Sequence, residues 1–162
     1  MSKHIQTQTE WEQTMARRVM EQLRGELYLD QRYLTAALGA LPPAPQQGGG
    51  SFATDGGRLY YPTAWLLDTY RKNRRYLPRA YLHSLFHCIF RHLWLRDKRD
   101  PDLWGLACDI AVESTLDALN TPAASAPWAG CGSNAMRSCA HNAGFWPPGR
   151  STACWQKPMP TP

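Results

Sequence analysis

The chain has 162 residues, of which 43% are hydrophobic and 19% charged, a composition typical of one globular domain and not of a disordered chain. No segment approaches the roughly 18 apolar residues of a transmembrane helix. The polar start lacks the apolar core of a secretory signal, so we expect a cytoplasmic protein without membrane partners. A net charge of +5 is too small to predict nucleic acid as a partner.

The first predicted element is a long helix that ends near Leu38. Apolar residues recur at helical spacing through its first half, and Thr9 or a neighbour can cap its start. Gly25 and Asp30 favour a break near the middle. The proline- and glycine-rich stretch that follows, residues 42–51, predicts a loop.

A tight turn and a small hairpin are predicted next. Residues 54–57 read TDGG, and Asp-Gly supplies the backbone angles that such a turn requires. The turn separates two short stretches that can pair, residues 51–53 and 58–61. The sequence therefore predicts a small β-element inside a mainly helical α+β domain.

Three further helices follow, each opened by a proline or its neighbour. Their predicted ranges are 63–76, 79–96 and, starting at residue 101 or 102, to about 119. The second of them is apolar around nearly its whole circumference, so we expect it to be buried among other helices.

Two histidines stand out in the helix predicted over residues 79–96. His83 and His87 are four residues apart, which places both rings on one helix face. Imidazoles at this spacing can bind one metal ion; the alternative is that they pack or face solvent. His92 falls about 140° around the helix from His87, and we expect a structural role for it.

Two carboxylates occur at the same spacing in the last helix. Asp109 and Glu113 lie among apolar neighbours and repel each other unless a cation or donors offset them. A turn near residues 98–102 would bring them against the histidines, and two histidines with one carboxylate form a catalytic zinc site. The alternative is pairing with arginines such as Arg91 or Arg75.

Three motifs occur in an informative order: TDGGRLYYPTAW (54–65), YLHSLFHCIFRHL (81–93) and RDPDLWGLACDIAVE (99–113). Together they resemble the metallopeptidase-like domain on the N-terminal side of bacterial von Willebrand factor A-like proteins. The resemblance covers about residues 20–120 and leaves out the von Willebrand half. It implies zincin-like helices beside a short sheet edge, a peptide substrate, and an AAA-type ATPase as partner.

The resemblance also implies a set of site residues. His83 and His87 match the histidines of the zinc-binding HExxH motif, and Asp109 matches the acidic third ligand of Zn²⁺. Ser84 stands where the motif has its glutamate, the general base. A serine hydroxyl cannot replace that carboxylate, and loss of such a group typically slows hydrolysis by about 10²–10⁴-fold.

Two functions are therefore predicted. The first is a metal-binding, metallopeptidase-like domain with little or no hydrolytic activity, unless Glu113 serves as a substitute base. The second is a non-catalytic interaction module that works with an AAA-type ATPase, its histidines merely packed.

The C-terminal segment differs in composition from the rest. Residues 121–162 contain no Leu, Ile, Val, Asp or Glu, so we expect an irregular or disordered tail after a domain of residues 1–120. Suitable synonymous codons convert residues 131–162 into a leucine-rich helical sequence in another reading frame, which suggests a frameshift. The tail also has zinc-ligand residue types without CxxC spacing: Cys131, Cys139, His141 and Cys154.

Other chemically notable residues have simpler interpretations. The basic run 71–75, flanked by Tyr70 and Tyr76, can contact phosphates, but a solvated helix face explains it better. Cys88 and Cys108 have apolar neighbours and are expected to be packing thiols.

Overall fold

The computed structural model describes residues 7–125. Within this range the fold is α+β and mainly helical, as the sequence predicted. The elements in chain order are α1 (Gln8–Asp30), α2 (Thr35–Ala40), β1 (Pro43–Gln46), β2 (Ala53–Thr54), β3 (Leu59–Pro62), α3 (Thr63–Asn73), α4 (Tyr76–Ile89) and α5 (Pro101–Leu119). No helix in residues 7–125 is long and apolar enough to cross a membrane.

Helix α1 begins with a capping box two residues before the predicted cap. The Thr7 hydroxyl accepts a hydrogen bond from the Glu10 amide, and the Glu10 carboxylate accepts one from the Thr7 amide at 2.8 Å. The helix ends at Asp30, and a short 3₁₀ turn (Arg32–Leu34) leads into α2. The predicted break is therefore at Asp30, and Gly25 lies within the continuous helix.

The sheet has the order β1-β3-β2 and corrects one prediction. Strand β2 pairs antiparallel with β3, which confirms the hairpin, but β1 pairs parallel with β3 in the region predicted as a loop. The proline- and glycine-rich composition of residues 42–51 favours a loop, and the prolines at 43 and 45 cannot donate to a ladder. An edge strand tolerates them, since only one of its sides is hydrogen-bonded.

The core joins this sheet to the helices through aromatic contacts. The Phe52 ring packs edge-on against Trp65 and Tyr81, with centroids 5.1 and 5.9 Å away. Buried leucines from α1, α3 and α4 complete the core, and each contributes about 1.5–3 kcal/mol by leaving water. Helix α4 is therefore part of the core, and α5 packs against it.

Helix α4 ends at Ile89, seven residues before the predicted end. The chain leaves it in a Schellman turn: the His92 amide donates to the His87 carbonyl and the Arg91 amide to the Cys88 carbonyl, both at 3.0 Å. Arg91 has the left-handed φ of 59° that usually selects glycine. Apolar residues continue past Ile89 and no glycine follows before residue 101, so no local signal marks the end of the helix.

Helix α5 begins at Pro101, as predicted. The Asp100 carboxylate caps it by accepting from the amides of Asp102 and Leu103, at 3.1 and 2.9 Å. After the helix, residues 121–125 form a turn in which Ala124 is fully buried. Packed structure thus extends past residue 120, whereas the zinc-knuckle residues and the frameshift hypothesis lie outside the described residues.

Candidate metal centre

Helices α4 and α5 pack together, and the contacts between them run in opposite chain directions. Arg79 meets Asp117, His83 meets Glu113, and His87 meets Asp109. The helices are therefore antiparallel, and the histidine pair faces the carboxylate pair.

Three ligand-type atoms converge between these helices. The two Nε2 atoms of His83 and His87 are 2.9 Å apart, and Asp109 Oδ1 lies 3.6 and 3.2 Å from them, respectively. Tetrahedral zinc with bonds of 2.0–2.1 Å has its ligand atoms about 3.3 Å apart. The triangle therefore has the size of one face of a zinc coordination sphere, and these residues could hold a metal ion.

Glu113 contacts His83 from the side opposite this triangle. Its Oε1 lies 2.7 Å from His83 Nδ1, and its Oε2 accepts hydrogen bonds from Arg79. Arg79 is buried and also donates to Asp117, at 2.7 Å, and to the Ala124 carbonyl. The carboxylate thus does pair with an arginine, but with Arg79, which sequence reasoning missed.

His92 does not lie where helical spacing predicted, because its ring contacts that of His87. His92 Nδ1 lies 3.1 Å from His87 Nδ1, and both side chains are buried. The prediction that His92 lies on the far side of the helix is wrong because α4 ends before it. The contact could have been predicted only from the end of α4 at Ile89, and no glycine or proline directly after Ile89 marks that end.

Ser84 lies on the buried face of α4. Its hydroxyl donates to the Ala80 carbonyl one turn earlier, at 3.4 Å. Glu113 as a substitute base stays a prediction, although both of its oxygens already contact side chains, Oε1 that of His83 and Oε2 that of Arg79.

The electrostatics of the site favour a positive charge between the helices. Burial disfavours protonation of His83, but Asp109 and Glu113 outweigh it and raise the pKa of His83 to about 9. Burial also disfavours charge on Asp109, yet the two histidines lower its pKa to about 2. Burial and the neighbouring His83 lower the pKa of His87. A protonated His83 therefore supplies the positive charge that a bound metal ion could supply instead.

Comparison with protein-family models gave a match that includes this site. A family model described as “putative metallopeptidase domain” matches residues 13–132. The chain belongs to this family. The match to the metallopeptidase-domain family includes α4 and α5 completely, and so every residue of the triangle. Searches of curated proteins and of solved structures gave no match.

The basic run 71–75 and Cys108 have simpler structural explanations. In the basic run, Lys72 pairs with Asp68 at 2.8 Å and Arg74 pairs with Glu26. Cys108 is buried, and burial raises the pKa of its thiol to about 11, so it stays protonated. These contacts fit a solvated helix face and a packing thiol.

Proposed function

We propose that this domain binds one zinc ion through His83 Nε2, His87 Nε2 and Asp109 Oδ1. The observation that carries the proposal is the triangle of these atoms, with sides of 2.9–3.6 Å. Two imidazoles and one carboxylate are a donor set that zinc prefers. Membership of the metallopeptidase-domain family supports the choice of a metal ion.

The contact between His83 and Glu113 supports the same assignment. A carboxylate that accepts the Nδ1 proton leaves the Nε2 lone pair of that ring available to a metal. Arg79, buried beside Glu113, keeps the carboxylate charged and in place. Carboxylate–histidine pairs of this kind are common around metal ions in proteins.

We further propose that peptide hydrolysis by this domain is weak or absent. Bound zinc supplies a Lewis acid and lowers the pKa of water, but hydrolysis also needs a group that moves the proton. Ser84 occupies the position of that group, and its hydroxyl is directed to the Ala80 carbonyl. Metal binding without efficient turnover follows from this combination.

Metal analysis of the purified full chain tests the zinc site. We expect about one zinc per chain after reconstitution and dialysis, and none in a His83→Ala, His87→Ala double variant. Asp109→Asn should weaken binding, whereas Asp68→Asn, which changes an exposed carboxylate on α3, should not. A well-folded wild-type chain that retains no zinc would refute the proposal.

A second candidate function is an interaction module, for which the surface of α5 offers a contact face; an AAA-type ATPase as its partner is implied by the sequence resemblance alone. Leu103, Leu106 and Ile110 are 70%, 58% and 55% exposed and lie on one face of that helix. Contiguous exposed apolar residues often mark contact surfaces. Packed histidines without metal would favour this candidate, so the same metal analysis distinguishes the two.

A further inference from the structure

We propose that His92 is a positioning residue of the metal centre: it accepts the Nδ1 proton of His87 and so frees His87 Nε2 for the ion. The inference rests on the proposed function, because it assigns a role toward the same zinc ion. It concerns a residue that neither helical spacing nor the family description singles out.

The contact between the two rings permits two proton arrangements. His87 Nδ1 and His92 Nδ1 are 3.1 Å apart, and a neutral imidazole has one donor and one acceptor nitrogen. If His92 donates, the His87 proton is on Nε2, which then cannot bind a metal. If His87 donates, its Nε2 lone pair points toward His83 Nε2, 2.9 Å away, and toward Asp109. Metal binding therefore requires His92 to be the acceptor.

The backbone holds His92 where this role needs it. Its amide donates to the His87 carbonyl at 3.0 Å, so the same two residues are joined by backbone and by side chain. The Trp104 indole of α5 donates to the His92 carbonyl at 3.2 Å. The Schellman turn thus brings residue 92 back over residue 87, and α5 fixes it there.

The two zinc-binding histidines then have different outer partners. His83 has an anionic one, Glu113, supported by Arg79, whereas His87 has a neutral one, His92. Loss of such an outer partner typically weakens metal binding about 10- to 100-fold. We expect an effect of this size at His92.

The test measures zinc affinity of the full chain by competition with a chromophoric chelator. His92→Phe keeps an aromatic ring but removes the acceptor, and we expect its affinity to be about 10- to 100-fold weaker. His92→Asn carries an oxygen at the position of Nδ1 and should remain within a few-fold of wild type. Circular dichroism in excess chelator checks that each variant folds.

A second readout needs no variant. Long-range ¹⁵N–¹H spectra of the zinc-loaded wild type should show the His87 proton on Nδ1 and the His92 proton on Nε2. A merely structural role for His92 would not require its proton to lie on Nε2.

The outcomes separate the two proposals. If wild type binds zinc and folded His92→Phe binds it equally well, His92 has no positioning role and the zinc site stands. Failure of His92→Asn to restore affinity, or a His92 proton found on Nδ1, also overturns the role. If wild type binds no zinc, the proposed function is itself wrong.

Discussion

His83 on α4 contacts Glu113 on α5 at the metal centre, with 2.7 Å between Nδ1 and Oε1. The other oxygen of Glu113 accepts from buried Arg79, which in turn donates to Asp117 and to the Ala124 carbonyl. The orientation of the His83 ring therefore depends on the packing of the turn formed by residues 121–125.

Glu113→Gln should weaken zinc binding about 10- to 100-fold, because the amide removes the negative charge that makes His83 a better ligand. Competition titration with a chelator measures the effect. Asp117→Asn is the matched control, since Asp117 also bonds Arg79 but does not contact His83. Equal losses in both variants would contradict a direct action of Glu113 on the ligand.

The metal-free protein should lose stability as pH rises above neutrality. The pKa of His83 is raised from 6.5 to about 9, so the stabilisation by its imidazolium is complete below pH 6.5 and is lost as pH rises through about 9. The pKa of Asp109 is lowered from 3.8 to about 2, so its contribution is present above pH 3.8 and is lost toward pH 2. The pKa values of His87 and His92 are lowered by burial, so these two residues destabilise the folded state as pH falls below 6.5. Thermal unfolding in excess chelator should therefore show the highest Tm near pH 6.5.

Zinc should reverse the alkaline part of this profile. Zinc binding displaces the His83 proton, so the rise in Tm on adding zinc should grow as pH increases from 6.5 to 9. Thermal unfolding with and without zinc at each pH measures this rise. A zinc-induced gain that falls over the same interval would be inconsistent with these ligands.

Ser84→Glu should increase peptide hydrolysis by the zinc-loaded protein, by up to about 10²–10⁴-fold, because it supplies a carboxylate where the HExxH motif has one. Cleavage of a quenched fluorescent peptide measures the gain. Ser84→Gln has a similar size but no basic group, and it controls for changes in packing at this buried position. Unchanged activity in a folded, zinc-loaded Ser84→Glu would show that more than this glutamate is missing.

Arg91→Gly should stabilise the domain. Arg91 is exposed and adopts a φ of 59°, a conformation that costs a residue with a Cβ about 1–2 kcal/mol. Removing this strain should raise the free energy of unfolding by about 1 kcal/mol, less the entropy that glycine loses on folding. Urea unfolding measures the change, and Arg91→Val should have the opposite sign. A less stable Arg91→Gly would mean that the turn depends on the arginine side chain.

Local chemistry accounts for the elements that the sequence predicted well. Helix α5 begins at Pro101 because Asp100 caps it, and both features are visible in neighbouring residues. The hairpin follows from the Asp-Gly turn in the same way. Strand β1 was missed because its only pairing partner is β3, more than ten residues further along the chain. No local signal reports such a partner.

The sequence by itself determined which residues share a helix face: spacing of four places His83 with His87 and Asp109 with Glu113, whatever surrounds them. Tertiary structure decided what each pair meets. The end of α4 at Ile89 brings His92 to His87, and the packing of α5 brings Arg79 to Glu113. Helical periodicity is a property of the local backbone, whereas these contacts depend on where one helix stops and another lies against it.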